Sequence, residues 1–168
     1  MEVRSVEAVV RALNEAKVRY LIVGGVAVNV HGYVRLTMDL DLVIQLKPEN
    51  IVAAWEAMEK IGYRARIPVS GKDFADDKKR ELWRREKGML VLQFWSDEHR
   101  RTQVDVFVRE PFDFDREHAT APDHAIVPGV VAKIVGWDTL LQMKREAGRP
   151  KDLLDLDMQR KNVLMRNH

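Results

Sequence analysis

An α+β fold, with helices packed on a mixed β-sheet, is what the sequence predicts, and three observations predict it. Short apolar runs ended by turn residues alternate with longer stretches of helical periodicity. The early order reads helix, strand, helix, strand, helix, the pattern of a layered α and β architecture. The length, 168 residues of which 46% are hydrophobic, is enough for one domain that buries about 70% of its unfolded surface. The reading is a single domain over 1–168, with a core of about 18–110 and a C-terminal helical part of about 136–162.

Element by element, Ser5 is placed to cap a first helix whose Ala8, Val9, Ala12, Leu13 and Ala16 recur at helical intervals. Arg19 to Val23 is a short buried strand stopped by Gly24 and Gly25, and Val26 to His31 starts a helix that Gly32 ends. Asp39 to Leu46 is the clearest strand. Pro48 opens a helix with an apolar face of Ile51, Ala54, Trp55 and Met58, ending near Gly62. A loop with Pro68 and Gly71 precedes one polar helical segment, Asp73 to Lys87. Met89 to Trp95 and Gln103 to Val108 are strands, the second alternating with period two. Residues 109–124, rich in Pro, Asp and His, read as a loop, and Ala125 to Val135 as short strand or turn around Pro128 and Gly129. Asp138 to Ala147 is a helix with Gly148 as its C-cap, and Pro150 opens a last helix through Leu154 and Met158.

Composition narrows the function classes. With no cysteine, a disulfide scaffold, a thiol nucleophile and a cysteine-ligated zinc site are excluded. Lys and Arg number 28 against 26 Asp and Glu, so no overall basic coat points to nucleic acid. The N-terminal stretch lacks a signal-peptide pattern, and the most apolar stretch, Tyr20 to Val30, is too short for a membrane span and carries Asn29. The expectation is a cytoplasmic protein without a membrane partner.

The chemistry-bearing residues begin with Asp39 and Asp41, two apart on an apolar strand. Their carboxylates share one face, while Leu40 and Leu42 point into the core. Two such carboxylates repel unless a cation sits between them, and oxygen ligands suit Mg²⁺ or Mn²⁺. Asp105, between Val104 and Val106, joins them if its strand lies alongside; three converging carboxylates can hold the two-metal arrangement of nucleotidyl transfer. Gly24 and Gly25, at a strand end before a helix, let backbone N–H groups approach a phosphate. Arg35 could neutralise a phosphate and Thr37 donate a hydroxyl to one. Taken singly, each has a plain alternative: a strand stop, a solvated strand face, an edge charge, a surface ion pair. The basic run Lys78-Lys79-Arg80 and Arg84-Arg85 around Trp83 reads as a solvated face, with an RNA-facing patch as the alternative.

Gly24-Gly25, then Arg35-x-Thr37-x-Asp39-Leu-Asp41-Leu, then Val104-Asp105-Val106, resembles the nucleotidyltransferase superfamily with the DNA polymerase β-like core. The tail, Leu140 to Lys144 and Ala147 to Asp157, is similar to the closing helices of its small toxin-related and uncharacterised bacterial and archaeal members. The resemblance implies a nucleotidyltransferase-fold core with C-terminal helices. It implies a metal-dependent enzyme that moves NMP from an NTP to an acceptor hydroxyl of a tRNA, a protein or a small molecule such as an aminoglycoside, releasing pyrophosphate; the toxin-related likeness favours tRNA or protein. Asp39, Asp41 and Asp105 would hold Mg²⁺ or Mn²⁺; Gly24, Gly25, Arg35 and Thr37 would bind the nucleotide; Lys144 would balance phosphate charge. A toxin of this type implies an antitoxin or other protein partner. The alternative is a catalytically silent nucleotide-binding or partner-binding module, although such modules commonly lose one of the acids and this chain keeps all three. For Arg149 and Asp152 the favoured reading is structural: Asp152 pairs with a basic group and pins the last helix.

Overall fold

The computed structural model describes residues 1–166. The first helix, α1 (Val3–Glu15), buries Val6, Val9, Val10 and Leu13 on one face. Its cap position is Glu2. Ser5 lies inside the helix, fully buried, with its hydroxyl 2.8 Å from His99 Nδ1. The expected cap is therefore displaced by a partner 94 positions away. Strand β1 (Tyr20–Val23) is buried throughout and passes directly into α2 (Gly24–Val30), which begins on the glycines themselves.

Strand β2 (Asp39–Ile44) leads to α3 (Pro48–Lys60), whose proline and Glu49 occupy the first turn, where a missing N–H and a negative charge are both favourable. After the two-residue β3 (Arg64–Ala65), the polar segment is two helices: α4 (Gly71–Ala75) and α5 (Asp77–Lys87). They break at Asp76, which leaves helical geometry and caps α5 through its side chain, while Ser70 and Asp73 form a capping box on α4. Strands β4 (Val91–Trp95) and β5 (Gln103–Phe107) follow. The stretch expected as a loop contains α6 (Phe114–Thr120), capped by Asp113 and anchored by buried Phe114. Next come a hairpin, β6 (Asp123–Val127) with β7 (Val130–Lys133), then α7 (Trp137–Ala147), ended by Gly148 at a left-handed φ of 60°, and α8 (Pro150–Arg166). The side chains of Lys151 and Met158 lie outside the described residues.

The main sheet runs β1-β2-β5-β4-β3. Only β2 and β5 are parallel; β1–β2, β5–β4 and β4–β3 are antiparallel. The β6–β7 hairpin lies against the outer edge of β1, where Val135 N–H donates to the Ile22 carbonyl at 3.0 Å. One face of the central strands carries Leu40, Leu42, Leu92, Phe94, Val104 and Val106, all buried. Trp55 of α3 meets Phe94 edge-on at 4.8 Å and Phe74 of α4 at 5.2 Å. Such aromatic pairs contribute about 0.5–1.5 kcal/mol each beyond their burial. The opposite face, with Asp39, Asp41, Asp105 and Gln93, is only half-buried. This asymmetry leaves a sheet surface open for chemistry. Among the described residues no helix is long and apolar enough to cross a membrane.

Candidate active site

The parallel pairing of β2 and β5 sets Asp41 directly opposite Asp105, and Asp39 opposite Gln103. Paired residues project to one face, and neighbouring strands lie about 4.8 Å apart. The three carboxylates thus share one patch of the open face. On the other side of β5, Gln93 pairs with Asp105, and its amide donates to Asp105 Oδ1 at 3.2 Å.

Gly24 lies beneath this patch. Its φ is +67°, and a Cβ built there would stand 2.0 Å from Asp41 Oδ2. Only glycine accommodates both the left-handed turn from β1 into α2 and the approach of that carboxylate. A Cβ on Gly25 would stand 2.5 Å from Thr37 Oγ1 and 3.6 Å from Arg35 Nε. Gly24 and Gly25 therefore meet Asp41 on one side and the Arg35–Thr37 segment on the other.

Residues 33–38, leading into β2, have no strand partner. Tyr33, Arg35, Thr37 and Asp39 are half-buried, whereas Val34, Leu36 and Met38 face outward. Asn29 of α2 clamps this segment: its Nδ2 donates to the Arg35 carbonyl at 3.1 Å, and its Oδ1 accepts from the Arg35 N–H at 2.9 Å. Thr37 Oγ1 donates to the Asp39 carbonyl at 3.3 Å. Asn29 and Gln93 are the members of the site that sequence reasoning missed. Each had a signal, a lone amide in an apolar helix and a polar residue in the middle of a strand, but their partners come only from the fold.

Lys144 is contributed by α7. It is buried on α7 at 5% exposure, with Nζ 3.4 Å from Asp152 Oδ1. Arg149 Nε reaches the other Asp152 oxygen at 2.7 Å. Burial would push the Asp152 carboxyl up, but the hydrogen bond from Arg149 and the charges of Arg149 and Lys144 outweigh it and hold it below its usual range. Asp152 is thus the structural pin between α7 and α8 that its position suggested. α7 in turn packs on α2, with Trp137 stacked on Tyr33 at 4.9 Å and tilted against His31 at 5.3 Å. His31 Nε2 lies 2.8 Å from the Val135 carbonyl, which makes it a packed helix-end histidine.

The basic run of α5 is largely engaged within the chain. Arg80 is buried, donating to the Phe74 carbonyl and lying over the Phe74 ring. Lys79 pairs with Asp73 at 2.6 Å and Arg84 with Glu81 at 2.7 Å. Trp83 is half-buried beside Phe74. This favours the solvated-face reading over an RNA-facing patch.

The donor set suits a hard divalent cation by chemistry and by shared face: three carboxylates, all oxygen. The side chains do not stand as a ready cage, since among the described residues no three such groups are gathered closely enough to hold a metal. The backbone register sets Asp41 beside Asp105, while the Asp41 carboxylate lies against Gly24 and the Asp105 carboxylate accepts from Gln93.

Among solved structures, the chain is similar to a candidate nucleotidyltransferase from Thermotoga maritima, with a TM-score of 0.56, 11% identity, and coverage of 95% of this chain and 92% of the other. It is also similar to ANT(2″)-Ia in complex with adenylyl-2″-tobramycin, with a TM-score of 0.50, 14% identity, and coverage of 89% and 78%. No family model matches the sequence, and no curated protein matches it. The chain has the nucleotidyltransferase fold, an α+β architecture around a mixed sheet.

Proposed function

We propose that this protein is a metal-dependent nucleotidyltransferase, moving NMP from an NTP to an acceptor hydroxyl. The observation that carries the reading is Asp41 opposite Asp105 across β2 and β5, with Asp39 on the same face and the side-chain-free Gly24 under Asp41. Asp39, Asp41 and Asp105 would hold Mg²⁺ or Mn²⁺, which when bound stabilises charge on the attacking and leaving oxygens.

The chain's own residues supply the rest. Gly24 and Gly25 present backbone N–H groups to the triphosphate with no side chain intervening. Arg35, held by Asn29, neutralises phosphate charge, and the Thr37 hydroxyl turns from the Asp39 carbonyl to donate to a phosphate oxygen. Asp105, oriented by Gln93, accepts the proton of the acceptor hydroxyl. The hydroxyl oxygen then bonds to the α-phosphorus, the bond to the bridging oxygen breaks, and pyrophosphate leaves in line. Lys144, proposed from sequence as a counter-charge to phosphate, contacts Asp152 here, so its part in the reaction is tested by its own variant.

The acceptor is a hydroxyl of a small molecule, a tRNA or a protein. The likeness to a protein crystallised with adenylyl-2″-tobramycin supports the small-molecule arm. The toxin reading requires a neutralising partner chain. Exposed Leu153, Leu154, Leu164 and Met165 on α8 support a protein contact there.

Titration calorimetry of ATP, GTP, CTP and UTP with Mg²⁺ tests the nucleotide half, using wild type and the Asp39→Ala/Asp41→Ala variant. The expected result is metal-dependent binding of a nucleotide, lost in the variant. Pyrophosphate release with tobramycin, bulk tRNA or candidate proteins then identifies the acceptor. A folded wild type that binds no nucleotide would favour a catalytically silent partner-binding module or a protein that needs its partner chain.

A further inference from the structure

At the opposite end of β1 from Gly24, about 13 Å away at roughly 3.3 Å per strand residue, lies a cleft of about 420 Å³. This is within the size range of small-molecule sites, about 300–1,000 Å³. It shares no residue with the carboxylate patch. Lys17, Arg19 and Lys133 bring three cations to it, with His118 among them. Val18, Val131 and Ala132 supply an apolar wall.

The cations are held in place. The Arg19 guanidinium pairs with Asp115 at 3.1 Å and lies over the Phe114 ring. Lys133 donates to the Ala121 carbonyl at 2.9 Å and stands 3.6 Å from Asp123. Burial, followed by the Arg19 and Lys133 charges, holds the His118 imidazole below its usual value, against the opposing Asp115 and Asp123. It therefore faces the cleft's cations as a neutral hydrogen-bonding ring.

Lys17 is the unusual member. It closes α1 with a left-handed φ of 54°, its N–H donating to the Asn14 carbonyl and the Val18 N–H to that of Leu13. This is the helix-ending position that glycine normally fills, because a Cβ is strained there. An exposed lysine at that point contributes no core packing, and among the described residues its ammonium has no ion-pair partner. Folding alone favours glycine, whereas a ligand with negative charge would favour lysine.

We propose that this cleft binds a small phosphomonoester, its phosphate on the Lys17, Arg19 and Lys133 cations and its organic body along Val18 and Val131. Charge-assisted bonds to phosphate and a short apolar wall fit that class better than inorganic phosphate, which would leave most of the volume unfilled. The inference is independent of nucleotidyl transfer.

The test is amide NMR of the full chain titrated with ribose 5-phosphate, with ribose and inorganic phosphate as controls. Saturable shifts are expected at Lys17, Arg19, His118 and Lys133 and not at Gly24 or Gly25, absent with ribose and at least about fivefold weaker with inorganic phosphate. Lys17→Gly should raise the melting temperature of the ligand-free protein while weakening binding about tenfold. Asp39→Ala/Asp41→Ala should leave the affinity unchanged. Shifts centred on Gly24 and Gly25, no saturation below about 10 mM, equal affinity for inorganic phosphate, or wild-type affinity in Lys17→Gly would each overturn the proposal.

Discussion

Replacing Gly24 by alanine introduces two separable penalties. The first is backbone: at φ +67° an L-residue with a Cβ is strained by about 1–2 kcal/mol. In a chain of this length each kcal/mol corresponds to about 2–4 °C, so this penalty alone lowers the melting temperature by roughly 2–8 °C. The second is steric. The new methyl would lie 2.0 Å from Asp41 Oδ2, far inside contact distance, so the carboxylate must retreat by more than an ångström. A displacement of about that size in a reacting constellation costs on the order of 10²-fold in rate. Calorimetric melting and Mg²⁺–NTP titration of Gly24→Ala, Asp41→Ala and the double variant separate the two. Removing the Asp41 carboxylate leaves the backbone penalty and the Cβ of residue 41, 2.9 Å away, but takes out the nearest clash, so Gly24→Ala should destabilise the Asp41→Ala protein less than it does the wild type. The expected coupling exceeds about 0.5 kcal/mol. Strict additivity, or a Gly24→Ala protein with wild-type melting and nucleotide affinity, would refute the close packing of glycine against carboxylate.

Asn29→Ala removes both Asn29 hydrogen bonds to the Arg35 backbone and should weaken nucleotide binding about tenfold with about 1 kcal/mol of destabilisation, measured by titration and urea unfolding. Asp152→Ala removes the buried carboxylate that both Lys144 and Arg149 contact and should destabilise by about 3–5 kcal/mol. Lys144→Met leaves Asp152 its Arg149 partner and should cost less; an inverted order would refute the pin. Because the Asp152 carboxyl is held below its usual range, its contribution is present above about pH 4 and lost as pH falls through the lower folded value. Asp152→Asn should therefore flatten the acid side of a melting-temperature profile while leaving any alkaline slope unchanged. Gln93→Leu removes the Gln93 hydrogen bond to Asp105 and should lower kcat with little change in nucleotide affinity, as steady-state kinetics would show.

Local chemistry made much of this architecture legible. The two glycines after an apolar run marked the end of β1, Pro48 marked the start of α3, and the i, i+2 spacing put Asp39 and Asp41 on one face before any pairing was known. What could not be read depended on distant partners. Ser5 looks like a cap by its position, yet His99 draws it into the interior. The break at Asp76 is set by two competing caps inside one polar run, which periodicity treats as continuous. Helix α6 is short and held by a single buried ring, Phe114, so an Asp- and Pro-rich stretch hides it. For the site, the sequence named the acids and glycines, but the opposition of Asp41 and Asp105 is a matter of register between strands far apart in the chain.

That register also governs when the acidic patch can exist. Asp41 and Asp105 meet only when β5, synthesised roughly 60 residues after β2, pairs alongside it, and such a contact closes late because its loop entropy must be overcome first. A nascent chain that ends before β5 has β1, its glycines and β2, but no third carboxylate and no Gln93–Asp105 contact. The growing polypeptide is thus inert in this respect until the parallel pair has formed, and truncated products of interrupted translation share that inertness.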